Sequence, residues 1–361
     1  LLDVHTGQHT SLIHGLPLPD VDLGCASTGD PEEYLQRLVP LLREFLLGHT
    51  APGAQHTLVA VQGDTASAYA GAMAATEISL PVCHVEAGVR SGDLQDPFPE
   101  EGYRRGISKL ATWHYAPSEA HARNLYEEGI PAARVIVTGN TVVDALGSRR
   151  NRPAVHGLIT LHRRESFGER LVEIVRGCYR VARWTAMNVY WPVHPNPEVG
   201  RAIKAARGDY LPPPNLILVP PMERQHFLAM LERATFVITD SGGVQEEAAI
   251  WGVPCMVARV KTDRMETVDS GHAYLLGQNT PEMFLPFVKR ILSQPSPPRF
   301  AGYDGPNGTP SRDIAVHLAS LEGVTLERID FNSADGQSFP TLENVLAERT
   351  VPMTTVESNV S

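Results

Sequence analysis

Three acidic positions early in the chain stand where chemistry could be done. Asp64 lies in Gly63-Asp64-Thr65, after the β-branched run Thr57-Leu58-Val59-Ala60-Val61. Glu86 lies in His84-Val85-Glu86-Ala87-Gly88, and Glu100 with Glu101 follows the proline-rich Pro97-Phe98-Pro99. Each has an ordinary reading, because a carboxylate after a strand caps the next helix and acidic side chains suit a helix start. Three of them at successive strand ends or loops of one half would instead converge on one rim. There they raise one another's pKa, which is how acid and base roles are divided.

A complementary set follows later. His162-Arg163-Arg164-Glu165 places two guanidinium groups beside an imidazole after an apolar run. Such arginines either fork towards a diphosphate or simply solvate a surface. The run Thr239-Asp240-Ser241-Gly242-Gly243-Val244-Gln245-Glu246-Glu247 joins an apolar strand to a helix. Its two glycines let a ligand approach the backbone, and the helix start offers N–H groups to an anion. Glu247, one turn into that helix, is placed to hold ribose hydroxyls, as acidic residues do in other α/β nucleotide sites.

The elements that must carry these residues alternate strand and helix. Pro81-Val82-Cys83-His84-Val85, Trp113-His114-Tyr115 and Arg134-Val135-Ile136-Val137 are strands of a first half. Leu158-Ile159-Thr160-Leu161, Asn188-Val189-Tyr190, Leu216-Ile217-Leu218-Val219, Phe236-Val237-Ile238-Thr239 and Pro254-Cys255-Met256-Val257 are strands of a second. This alternation predicts an α/β fold with two Rossmann-like domains, parallel sheets and a ligand cleft between the halves. The expected boundaries are residues 1–147, 148–321 and a poorly ordered tail from 322 to 361.

Composition narrows the function classes. The 361 residues are 42% hydrophobic and 20% charged, as in a globular protein, with no apolar run long enough to span a membrane. Lys plus Arg number 31 against 41 Asp plus Glu, a net charge of -10, which disfavours nucleic acid as a partner. Cys25, Cys83, Cys178 and Cys255 form no C-x-x-C pair and read as buried thiols of a reducing cytoplasm. The first residue is Leu and no export leader precedes it, so the chain is expected to start inside its gene.

Eight motifs in order carry a resemblance. They are Gly63-Asp64-Thr65, His84 to Gly88, Arg90-x-Gly92-Asp93, Pro97-x-Pro99-Glu100-Glu101, Thr138-Gly139-Asn140-Thr141, His162 to Ser166, Pro192 to Pro197, and Asp240 to Glu247. Together they resemble the bacterial non-hydrolysing UDP-N-acetylglucosamine 2-epimerases over roughly residues 4–320. The resemblance implies a GT-B-like fold, a homodimer, and interconversion of UDP-N-acetylglucosamine and UDP-N-acetylmannosamine for cell-surface polysaccharide. It implies no cofactor and no metal, since UDP is eliminated to leave a glycal and then added back. On it, Asp64, Glu86, Glu100 and His162 match catalytic positions. Arg163, Arg164, Ser241, Gly242, Gly243, Glu247 and Arg264 match or flank UDP-binding ones. Gln8, His9 and His194 match a region linked to a second, regulatory nucleotide site.

The sequence also departs from the family pattern. The opening strand and its Gly-Thr-Arg-Pro-Glu loop do not occur, so the first domain is expected to lack its first strand. Leu161 stands for a glycine, Tyr103 for an asparagine, and Lys261-Thr262-Asp263-Arg264-Met265-Glu266 for a segment that carries a proline. Two other functions remain open at this stage: a UDP-sugar-binding protein without turnover, and a GT-B glycosyltransferase. The first-half carboxylates separate the transferase, because transfer needs no proton movement at C2.

Overall fold

The computed structural model describes residues 3–8, 18–27, 29–50, 57–147, 153–207, 212–277 and 281–321. The described residues divide into two compact units, those up to 144 with 303–321, and those from 145 to 302. The tail expected from residue 322 onward lies outside the described residues.

In the first unit, β1 (Val4–His5) pairs in parallel with β2 (Val21–Asp22). Asp30 then caps α1 (Pro31–His49), accepting the Glu32 and Glu33 N–H groups at 2.8 and 3.2 Å, and Pro31 sits at the start where no N–H is needed. β3 (Val59–Gln62), β4 (Val82–Val85), β5 (Trp113–Ala116) and β6 (Val135–Val137) form a parallel sheet in that order. Between them run α2 (Ala66–Glu77), α3 (Glu100–Leu110) and α4 (Glu119–Glu127). The alanines of α2 explain its place: Ala70 and Ala74 face α1 while Ala68, Ala72 and Ala75 face the strands, so no bulky side chain holds either layer away. Tyr103, at the departure from the family pattern, has found a partner, stacking on Tyr69 with centroids 5.1 Å apart.

The division falls inside α5 (Val142–Leu146). The second unit holds a parallel sheet. Its strands are β7 (His156–Thr160), β8 (Val189–Pro192), β9 (Leu216–Val219), β10 (Ala234–Thr239), β11 (Cys255–Val257) and β12 (Ala273–Leu275). The helices are α6 (Glu169–Trp184), α7 (Pro197–Ala206), α8 (Arg224–Glu232), α9 (Gly242–Ile250), α10 (Met265–Asp269) and α11 (Pro281–Leu292). Trp191, Phe236, Tyr179 and Phe284 anchor its core, and Leu161, another departure, is fully buried there. Gly177 of α6 admits the Phe284 ring of α11, where a Cβ would meet it at 2.5 Å.

One boundary is corrected. The stretch read from sequence as the end of the second domain returns to the first unit as α12 (Pro310–Leu321). Ile314 packs on Cys83 and Tyr115, and the Tyr115 hydroxyl meets His317 Nδ1 at 2.9 Å. An amphipathic pattern marks a helix but does not say which sheet will cover it. No helix among the described residues is long and apolar enough to cross a membrane.

Candidate functional site

The second unit's strand order reverses between β7 and β10. The chain runs outward from β7 through β8 to β9, then crosses back to β10 on β7's other side. Side-by-side strands whose connections leave in opposite directions open a crevice at their carboxyl ends, where α/β proteins bind ligands. His162 lies just beyond β7, and Asp240 and Ser241 just beyond β10.

Asp240 ties this edge together. Its fully buried carboxylate accepts the backbone N–H of His162 at 2.9 Å and of Arg163 at 2.9 Å. His162 Nδ1 stands 3.2 Å from Asp240 Oδ1. The His162 ring stacks on His194, which follows β8, with centroids 5.5 Å apart and planes 27° apart. Burial holds the His194 pKa below the ordinary histidine value, and neighbouring His162 pushes the same way while Asp240 opposes it. Arg163 is partly buried, whereas Arg164 opens a 3₁₀ turn and is exposed.

Ser241 is the N-cap of α9, its hydroxyl accepting the Val244 N–H at a long 3.5 Å. Neither Gly242 nor Gly243 has a backbone that demands glycine, and a Cβ on Gly243 would meet nothing within 4 Å. The fold therefore does not require glycine there. A ligand approaching the helix start would. Glu247 is almost wholly buried, accepts Arg224 Nη1 at 2.7 Å through Oε1, and leaves Oε2 buried without a hydrogen-bond partner. Burial raises its pKa, and Arg224 opposes the rise.

Arg264 lies beside the glycine turn, its guanidinium carbon 4.0 Å from where a Cβ on Gly242 would stand. Its buried guanidinium pairs with Glu246 through Nε and with Asp263 through Nη1 at 3.0 Å. Its carbonyl accepts Gln245 Nε2 at 2.9 Å. It fastens the loop after β11 to α9, and buried pairing of this kind cannot be read from a motif.

The first unit's rim holds the carboxylates. β3 and β4 pair so that Gln62 lies opposite Val85, which sets Asp64 and Glu86 on adjacent strand ends. A Cβ on Gly63 would stand 3.6 Å from Glu86 Oε2. Glu86 itself has φ of +67°, a left-handed backbone that few non-glycine residues adopt. Gly88, at φ +84°, packs so closely on α4 that a Cβ would lie 2.2 Å from the His121 carbonyl oxygen. Glu100 is the first residue of α3, and Arg104 of the same helix grips Asp64. His84 is fully buried with Nε2 donating to the Gly63 carbonyl at 2.9 Å, and burial pushes its pKa down to about 4.

Thus Asp64 and Glu86 stand at adjacent strand ends of the first unit, Glu100 begins the helix whose Arg104 grips Asp64, and His162, Arg163, Ser241, Gly242, Gly243 and Glu247 lie along one edge of the second. Gln8 lies in the first unit, its Oε1 accepting the Ser67 N–H at 3.0 Å, while His194 lies beside His162. His9 falls outside the described residues. Among the described residues no group of three or more His, Cys, Asp or Glu is placed to hold a metal ion. Sequence reasoning missed Arg104 and Arg224 as partners of Asp64 and Glu247, and it gave Asp240 no task. Only the burial of Asp240 between a strand and a glycine turn could have marked it.

Two parallel-sheet α/β units, one with a helix start open at its switch point, define a Rossmann-like protein of the GT-B-like class. A sequence model of the family described as UDP-N-acetylglucosamine 2-epimerase matches residues 2–302. The probable UDP-N-acetylglucosamine 2-epimerase of Ralstonia nicotianae is 37% identical over 284 residues, 72% of this chain and 73% of that protein. The UDP-N-acetylglucosamine 2-epimerase of Yersinia pestis is 36% identical over 301 residues, 76% of this chain and 77% of that one. The Neisseria meningitidis UDP-GlcNAc 2-epimerase, solved bound to UDP-GlcNAc, matches with a TM-score of 0.74 at 30% identity, covering 84% of this chain and 86% of that one. The chain belongs to the UDP-N-acetylglucosamine 2-epimerase family, a family of isomerases.

Proposed function

We propose that this protein inverts C2 of UDP-N-acetylglucosamine, giving UDP-N-acetylmannosamine by elimination and re-addition of UDP. The C2–H bond and the C1–O bond to UDP break, and a C1=C2 double bond forms. UDP oxygen then adds back to C1 as a proton reaches the opposite face of C2. The C2 proton is weakly acidic, so its removal depends on departure of UDP, and the charge developing on the diphosphate must be held. Inversion needs proton transfer on both faces, hence more than one acid–base group.

The observation that carries this reading is that one chain holds both kinds of rim, carboxylates at the ends of β3 and β4 in one unit and an anion-ready α9 start beside His162 at the β7/β10 switch point in the other. Asp64, Glu86 and Glu100 are assigned proton transfer at C2, and His162 the leaving diphosphate. Arg163, Arg164, Ser241, Gly242 and Gly243 bind the diphosphate, and Glu247 the ribose. Arg264 acts by holding the loop after β11 against α9. The family resemblance supports a homodimer, regulation by nucleotide at Gln8, and a product destined for cell-surface polysaccharide. Four free, buried cysteines fit a reducing cytoplasm.

The test is incubation with UDP-N-acetylglucosamine in deuterated water. Deuterium at C2 of both epimers is expected. Binding of UDP without exchange would replace the enzyme reading by a binding protein, and transfer of the sugar to an acceptor by a glycosyltransferase.

A further inference from the structure

We infer that Asp240 is the positioning residue of His162, fixing the imidazole proton on Nδ1 and presenting Nε2 as the nitrogen that meets the reacting nucleotide. The second half of this statement rests on the epimerase reading; the first does not. Asp240 is completely buried beneath the β7 and β10 ends, so its work is done through its neighbours. Its two oxygens take the N–H groups of His162, at 3.1 and 2.9 Å, and that of Arg163, at 2.9 Å. Those bonds hold the backbone after β7 and supply donors that a buried carboxylate requires.

A carboxylate that only braced this turn would need nothing more. Here the His162 Nδ1 also stands 3.2 Å from Oδ1. At that distance a lone pair on Nδ1 would face the carboxylate with like polarity, while an N–H would be attracted, so the neutral ring carries its proton on Nδ1. The charge beside one ring nitrogen thereby decides the state of the other. His194 adds the second restraint. Its own Nδ1 accepts the Asn196 N–H at 3.1 Å, which puts its proton on Nε2, and its face covers the His162 ring. His162 is thus held by its edge and by its face.

Asp240→Asn supplies the test. With the amide oxygen kept towards the two backbone N–H groups, the amide NH₂ must face His162 Nδ1, which then becomes an acceptor. Protein labelled with ¹⁵N-histidine, with the His162 signals assigned by their loss in His162→Gln, reads the tautomer of the neutral ring. Wild type is expected to show protonated Nδ1, and Asp240→Asn protonated Nε2. In the same variant kcat should fall about a hundredfold, with KM moving less than about threefold, as for loss of an interaction made only in the transition state. Protonated Nε2 in the wild type, an unchanged tautomer in the variant, or a kcat loss below about fivefold overturns the assignment. If Asp240→Asn does not fold, the wild-type spectrum decides alone. A wild type with the expected tautomer but no deuterium incorporation at C2 overturns the epimerase reading and leaves Asp240's hold on His162 standing.

Discussion

Arg104 closes on a single oxygen of Asp64, with Nε at 2.9 Å and Nη2 at 2.5 Å from Oδ2. Through Nη1 the same guanidinium reaches Glu101 Oε2 at 3.4 Å. Glu101 has no exposed surface and takes further bonds from Arg105 and the Ser91 N–H. Helix α3 is therefore bolted to the β3 end by a guanidinium shared between two carboxylates.

Arg104→Met should lower the unfolding free energy by about 3 kcal/mol, because an uncompensated buried charge is costly while a lost exposed pair is not. Arg105 and Ser91 keep the loss from being larger. Asp64→Asn alone should cost less than half as much, and the double variant should lie near Arg104→Met and not at the sum. Urea denaturation of the four proteins measures this. A strictly additive cycle would mean that Arg104 does not act through Asp64.

Glu86 offers a separation of stability from function. Its φ of +67° costs a residue with a Cβ about 1 kcal/mol or more, and glycine almost nothing. Glu86→Gly should therefore unfold at higher denaturant than Glu86→Ala, by about 1 kcal/mol, although both lose the carboxylate. Neither should exchange the C2 proton at more than about a hundredth of the wild-type rate. Equal stability of the two variants would show that the turn relaxes without strain.

What could be read ahead of the structure was local. Asp64, Glu86 and Ser241 stand at the ends of apolar runs, and chain order alone places such residues at a sheet's carboxyl edge. Long-range choices were not legible. The helix carrying His317 looks like a continuation of the second unit, yet it covers Tyr115, some 200 positions earlier, with an apolar stripe that would suit either sheet. Arg264 shows the same limit for charge. The resemblance sets it among UDP-binding positions, and only packing reveals that Glu246 and Asp263 also pair with it. Gly243 is the reverse case, a motif glycine whose surroundings leave room for a side chain and so speak for a ligand.

Two buried histidines set a pH limit on the fold. His84 Nε2 donates to the Gly63 carbonyl and His156 Nε2 to that of Met230, while each Nδ1 is buried without a partner. Burial pushes both pKa values down to about 4 from an ordinary 6.5. Between those values the unfolded chain binds protons that the native one refuses, so stability falls as pH drops through that window and is intact above it. Melting at about pH 7 and about pH 5 should show the fall, and His156→Phe, which keeps a ring against Tyr190, should make it shallower. An unchanged pH dependence in that variant would remove His156 from the account.

Arg224 should matter for UDP binding through Glu247, and more so in acid. Glu247 is buried with a pKa raised by desolvation, and the Arg224 guanidinium 2.7 Å from Oε1 is what holds that rise in check. Ribose hydroxyls bond more strongly to a carboxylate than to a neutral acid, since charge-assisted hydrogen bonds are about twice as strong. Removing Arg224 lets the pKa climb further, so more of Glu247 is protonated at any given pH. The sign follows directly: in Arg224→Ala the affinity for UDP should decline as pH falls, beginning at a higher pH than in wild type. Glu247→Gln should bind weakly with no such dependence, because its side chain has no proton to gain. Calorimetric titration with UDP across about pH 5.5 to about pH 8.5 spans the relevant range. An Arg224→Ala protein that is weakened by the same factor at every pH would show that the guanidinium touches the nucleotide itself and does not act by keeping Glu247 ionised.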